Sequence, residues 1–222
     1  MKDSEMFMGP RVPQEMLKRE RKRFMTPTAI FATSAFLLLI SIFFPYWSLT
    51  LEAPQYPNGL TVEVYVNHVG GDVQEVDELN HYIGMRSMKD GGVLERTLSI
   101  LIVAALALLT FAAIYIHSPV AAFFTLPAMF YPLIFLGDLY FWLWNFGTHL
   151  DPRAPLSSAI KPFVPPVLGT GMVGQFKTVA QWETGLILAI LGALMIPVAL
   201  YYHRKAYKPL LEAQLKKDQK DN

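Results

Sequence analysis

Four stretches of this chain are long and almost free of charge, and they decide its class before any motif is considered. They run from about Thr28 to Trp47, Thr97 to Ile116, Val120 to Phe146 and Thr184 to Tyr202. At about 1.5 Å per residue, each is long enough as a helix to cross roughly 30 Å of hydrocarbon. A helix closes its own backbone hydrogen bonds, which is the condition for lying in lipid. With 53% hydrophobic and only 17% charged residues, the chain is too apolar for an ordinary soluble domain. The sequence therefore predicts an all-α integral membrane protein: four transmembrane helices with a small mixed extracytoplasmic cap.

Basic residues set the orientation. Lys2, Arg11, Lys18, Arg19, Arg21, Lys22 and Arg23 crowd the N-terminal arm, and Arg204, Lys205, Lys208, Lys216, Lys217 and Lys220 the C-terminal tail. The two long loops share Arg86, Lys89, Arg96, Arg153, Lys161 and Lys177. Both termini are expected in the cytoplasm of a bacterial inner membrane. The divisions are a basic arm (1–26), a first span (27–48), an outer loop (49–96), a second span (97–117), a third span (119–146), a proline-rich outer loop (147–181), a fourth span (182–203) and a cytoplasmic tail (204–222). His117-Ser118-Pro119 is the inner turn. Tyr46, Trp47, Tyr140, Trp142, Trp144 and Trp182 fall at the outer ends of the spans, where aromatic rings prefer the headgroup level.

Several function classes drop out. The chain has no cysteine, so thiolate metal sites and disulfides are excluded. A net charge of +1 gives no footing for nucleic-acid binding, and the basic ends suit anionic lipid instead. Pumps and transporters place ionisable groups mid-membrane; here Asp138 and Glu183 both fall near the outer ends of their spans. His117 and His203 end helices on the inner side. Two imidazoles there could hold a haem axially, but a porphyrin would have little apolar cover, and the sequence reads them as interfacial. No Ser–His–Asp spacing, phosphate-binding glycine loop or zinc-hydrolase motif is present, so the chain reads as no enzyme.

The chemistry lies in the loops. Leu60, Val62, Val64 and Val66 alternate with polar residues and predict a half-buried strand over 60–67. Gly70-Gly71 signals a turn, Val73–Val76 a short returning strand, and Asp77 the N-cap of a short helix. On a helix over 77–88 at about 100° per residue, with His81 at zero, Met85 falls at about +40°, Met88 at about −20°, Asp77 at about −40° and Glu78 at about +60°. One face then collects an imidazole, two thioethers and two carboxylates, a donor set suited to copper. The same spacing also serves simple packing. His149, Asp151 and Met172 of the second loop lie on the same side of the membrane and could complete a site. The prolines between them predict an extended strap.

Three strings carry a resemblance: Phe44-Pro-Tyr-Trp-Ser-Leu-Thr-Leu-Glu-Ala-Pro-Gln-Tyr-Pro-Asn-Gly-Leu60, Glu78-Leu-Asn-His-Tyr-Ile-Gly-Met85 and Gly147-Thr-His-Leu-Asp-Pro152. Over about residues 44–185 the chain resembles a family of small bacterial membrane proteins found beside genes for nitrous oxide reductase maturation and copper delivery. In that family the second-loop histidine directly follows the glycine, whereas here Thr148 stands between Gly147 and His149. The resemblance implies a copper-linked setting. The expected function is copper handling for a periplasmic-side copper enzyme, with His81, Met85, Met88, His149 and Asp151 as candidate ligands. Its expected partners are the lipid bilayer and a membrane or periplasmic protein, either that enzyme or its maturation factors. The alternative is a non-catalytic subunit of a membrane respiratory or oxygenase complex, with the cap as its docking surface.

Overall fold

A computed structural model describes residues 12–173 and 176–218. The elements in chain order are α1 (Gln14–Arg19), α2 (Arg21–Ser41), β1 (Trp47–Ala53), β2 (Tyr56–Val64), β3 (Val69–Gly71), α3 (Val73–Ile83), α4 (Val93–Ala112), α5 (Val120–Thr148), β4 (Gly169–Val173), β5 (Phe176–Trp182) and α6 (Thr184–Asp218). Short 3₁₀ turns cover Met88–Asp90 and Ala113–Tyr115. Four helices are long and apolar enough to cross a membrane: Arg21–Ser41, Val93–Tyr115, Val120–Thr148 and Thr184–Ala213. Pro127 and Pro132 lie within α5, and Pro197 and Pro209 within α6; none of them ends its helix.

The chain folds as two compact units. The first draws on Met1–Leu39, Val103–Tyr131 and Leu188–Asn222, so far as these are described. Its helices meet through small residues: the Ser34 hydroxyl donates to the Gly192 carbonyl at 2.8 Å. Small residues let the two helix backbones approach closely enough for this bond. Phe31, Ala113, Ile116, Ala121 and Ala199 form one apolar core there, and Phe24, Ala206 and Tyr207 another.

The second unit, Ile40–Ile102 with Pro132–Ile187, contains a five-stranded antiparallel sheet in the order β3-β2-β1-β5-β4. The cap is thus mixed, as expected, but its sheet is far larger than the one or two strands read from the sequence. β1 and β2 form a hairpin with Trp47 opposite Val64 and Leu51 opposite Leu60. β1 also pairs with β5, Trp47 opposite Trp182 and Glu52 opposite Lys177. The two outer loops therefore build one sheet. Its inner face buries Trp47, Leu49, Leu51, Leu60, Val62 and Ala180 against Val73 and Val76 of α3 and Leu139 and Leu143 of α5.

Three readings of the first loop are corrected. The first span ends at Ser41, because Pro45 disfavours helical geometry in the residue before it and has no N–H to donate. Tyr46 and Trp47 are consequently fully buried in the cap. The Tyr46 hydroxyl bonds Ser41 Oγ at 2.7 Å, and Trp47 Nε1 donates to the Val167 carbonyl at 2.7 Å. Val73–Val76 is helical instead of a returning strand, and Asp72 occupies the N-cap position expected of Asp77. The Asp72 side chain is spent on the sheet, accepting from the Thr61 amide at 2.8 Å.

The start of α6 sits tightly against the chain entering β1. Gly185 N–H donates to the Pro45 carbonyl at 2.8 Å, and a Cβ on Gly185 would fall 2.5 Å from Tyr46 Cδ2 and 2.6 Å from the Phe44 carbonyl oxygen. Two of the three nearest obstacles are backbone, so the contact cannot relax cheaply. Gly185→Ala is expected to cost about 1–3 kcal/mol, read as a lower thermal unfolding midpoint in detergent. An unchanged midpoint would show that this junction is loose.

Candidate functional site

Amphipathic spacing makes α3 a helix with one buried side, Val73, Val76 and Asn80, and its other side solvated. Gly84 ends it in the left-handed conformation, φ +80°, which a residue with a Cβ rarely adopts. Met85 N–H then folds back onto the Asn80 carbonyl at 2.9 Å. The continuous helical face drawn from Asp77 to Met88 is therefore broken at Gly84, and the angular argument fails beyond Ile83. Asp77 instead caps the turn that follows: it accepts from the Ser87 hydroxyl at 2.5 Å and the Met88 amide at 2.8 Å.

The Gly84 turn is where the second loop lands. Asp151 N–H donates to the Gly84 carbonyl at 2.8 Å, and Leu156 N–H to the Tyr82 carbonyl at 3.0 Å. A Cβ on Gly84 would lie 2.6 Å from the Asp151 carbonyl oxygen, so glycine is required for approach as well as for conformation. Residues that the sequence could only place on the same side of a membrane thus meet through their backbones.

Their side chains divide. His81 is exposed, with its ring edge-on to Tyr82 at 6.3 Å, and Met85 is half-buried. Met88 packs into the core beneath the sheet, which makes it a core residue before anything else. The Asp151 carboxylate accepts the Arg153 amide at 2.9 Å and its guanidinium at 3.3 Å, and these bonds hold its pKa below the usual range. His149 caps the end of α5: its Nδ1 meets the Asn145 carbonyl at 3.0 Å and Thr148 Oγ1 at 3.1 Å. A carbonyl only accepts, so Nδ1 is the donor in this contact, and in a neutral ring the lone pair is then on Nε2. Met172 is exposed on β4. Among the described residues, no group of three or more His, Cys, Asp or Glu is arranged to hold a metal ion. Of the candidate ligands, His81 and Met85 flank the Gly84 turn and His149 ends α5.

The first unit holds a histidine cluster. His203 is buried, His117 half-buried, and their Nδ1 and Nε2 atoms are 3.4 Å apart. Tyr207 stacks flat on His117 at 3.8 Å, and Phe31 sits edge-on to His203. This packing leaves no slot for a porphyrin.

Comparison with family models, with curated proteins and with solved structures finds no match to this chain.

Burial pushes the His117 imidazole down to about 4. The unfolded chain takes up that proton first, near an ordinary histidine pKa of about 6.5. The stability this group contributes is therefore complete above about pH 6.5 and is lost as pH falls towards 4. The unfolding midpoint in detergent is expected to drop between pH 7 and 4, and His117→Phe to make that drop shallower. A variant with the wild-type pH profile would contradict a buried neutral imidazole.

Proposed function

We propose that this chain is a non-catalytic accessory protein of a bacterial cytoplasmic membrane, with both termini inside and its sheet-bearing cap outside. The span helices carry large exposed apolar side chains, among them Phe36, Leu101, Leu108, Phe123, Leu133 and Leu194. A monomer in water rarely exposes so much. The Lys and Arg clusters at both ends support the orientation.

One observation carries the functional half of the reading: two loops more than a hundred residues apart in sequence close into a single sheet with its own core. A chain that needed only an anchor would have no use for such a cap. Its role is to present a rigid recognition surface to a membrane or periplasmic protein. The resemblance to proteins encoded beside copper-delivery genes makes a copper enzyme, or its maturation factors, the partner of choice. A respiratory or oxygenase complex would use the same surface.

A second reading rests on the exposed His81 and the half-buried Met85 flanking the Gly84 turn, where the second loop is bonded. In it the cap also carries Cu(I), held by His81 and Met85 with His149 as the third donor. Met88 packs partly against the core and the Asp151 carboxylate is engaged by Arg153, so His81, Met85 and His149 are the preferred donors of this reading. Neutral imidazole and thioether donors favour the reduced ion, and binding weakens as imidazole protonates.

Topology is tested with single cysteines at Ser4, Asn67 and Ser158 and a membrane-impermeant thiol reagent on intact cells. Asn67→Cys and Ser158→Cys should label and Ser4→Cys should not; the reverse pattern overturns the orientation. Copper is tested by competition against a chromophoric Cu(I) chelator in detergent. Under the second reading His81→Ala removes most of the affinity, and Met85→Leu, which conserves volume, lowers it by about tenfold. Wild type that does not compete leaves the recognition surface alone.

A further inference from the structure

We propose a binding site for the phosphate of an anionic phospholipid headgroup where the first turns of α2 meet residues 202–206 of α6. The inference rests on the membrane reading above and goes beyond it, because it assigns a particular cavity and particular side chains. The cavity is about 550 Å³ and is lined by Lys22, Arg23 and Thr26 of α2 and by Tyr202, Lys205 and Ala206 of α6. Both helices are candidate membrane spans, and the cavity lies towards the N-terminal end of one and the C-terminal end of the other.

The three cations play different parts. Arg23 builds the site. Its guanidinium donates to the carbonyls of Lys205 and Ala206, each at 3.2 Å, which fastens the two helices together. Its charge is matched by Glu20 at 2.6 Å. Lys22 and Lys205 are exposed, and among the described residues neither pairs with a carboxylate. Two unmatched ammonium groups thus border one cavity, on opposite walls. The positive end of the α2 dipole adds to their field.

The other lining residues choose the class of anion. The exposed Tyr202 ring and the lysine stems are apolar surface beside the charges, while Ala206 is buried in the wall behind them. A free phosphate ion gains nothing from such a wall. A lipid gains twice: its phosphate meets Lys22 and Lys205, and its glycerol and first methylenes lie on the exposed Tyr202 ring. The Tyr202 hydroxyl can donate to a phosphate oxygen. The Thr26 hydroxyl is already committed to the Lys22 carbonyl at 2.7 Å, so it shapes the wall without binding.

The test uses the full chain in a neutral detergent, with binding followed by native mass spectrometry and by thermal shift. The probes are phosphatidylglycerol, phosphatidylcholine and inorganic phosphate. Phosphatidylglycerol should be retained and should raise the unfolding midpoint, while the other two should do neither. Lys22→Gln with Lys205→Gln should weaken phosphatidylglycerol binding roughly 30-fold, at about a factor of five to six per lysine. Lys18→Gln with Lys208→Gln removes the same charge from the same two ends but outside the cavity, and should leave binding within about twofold. Equal loss in both pairs would mean diffuse attraction and would overturn the site. So would equal retention of phosphatidylcholine, or protection by inorganic phosphate alone. Carbonate extraction of membranes separates this proposal from the one beneath it. A chain released by carbonate refutes the membrane reading; a chain that stays and shows no preference for phosphatidylglycerol refutes only the headgroup site.

Discussion

The pairing of β1 with β5 is the contact on which the second unit depends. β1 lies in the middle of the sheet, with β2 on one side and β5 on the other. Without β5 the first loop would be a three-stranded meander with β1 as a bare edge, its amides open to water or to another chain. Without β1, β4 and β5 would be a lone hairpin, marginal in water. The register is fixed where the chain leaves and re-enters the helices. Tyr46 bonds Val64 and Glu183 through its backbone, Gly185 bonds Pro45, and Trp47 then stands opposite both Val64 and Trp182. A slip by one residue would turn Trp47, Leu49 and Leu51 out of the core. The ends of α2 and α6 therefore act as the hairpin turn that β1 and β5 lack.

That sheet decides what chemistry the loops retain. Once its inner face is packed on α3 and α5, Met88 is drawn into the core and Asp77 is consumed in holding the turn above it. The strap of the second loop is latched by backbone bonds to Tyr82 and Gly84, and Asp151 is turned towards Arg153. His81 and His149 are left outside, each on the rim of a rigid element. A surface histidine held by its own helix end, with one nitrogen donating and the other free, is pre-oriented for a partner or an ion and costs little fold stability.

The spans were legible because hydropathy adds along a segment and needs no knowledge of what the segment touches. β2 was legible for a similar reason, since its Leu60, Val62 and Val64 alternate in plain view. β1 was not: it follows an apolar run directly, so Tyr46 and Trp47 read as the end of a span. β5 was missed because Phe176, Thr178 and Ala180 make a short stripe whose partner lies far away in sequence. The site was legible as a neighbourhood but not as a ligand set. The Gly84 signal was present in the sequence; what it could not convey was that the left-handed turn would end the helix and give its free carbonyl to Asp151. The histidine pair was noted, but its burial was not legible, because burial of His203 depends on Phe31 and Tyr207, which only helix packing brings to it.

The placement of unsatisfied polar atoms separates the roles of the two units. In the first, the buried hydroxyls of Ser34, Thr110 and Thr125 each find a backbone carbonyl. In the second, Asn80 Nδ2, Asn145 Oδ1 and Thr178 Oγ1 are buried without a partner among the described residues. Each such atom costs about 1–3 kcal/mol when left unpaired. A fold tolerates that cost most readily where something other than stability fixes the residue. Asn80 adjoins His81, and Asn145 supplies the carbonyl that orients His149. The two histidines left free by the fold are thus each attached to a buried amide the fold does not satisfy. This coincidence, found twice in one unit and tied to the same latch between the loops, supports the proposal that the protein's recognition surface centres on the Gly84 turn.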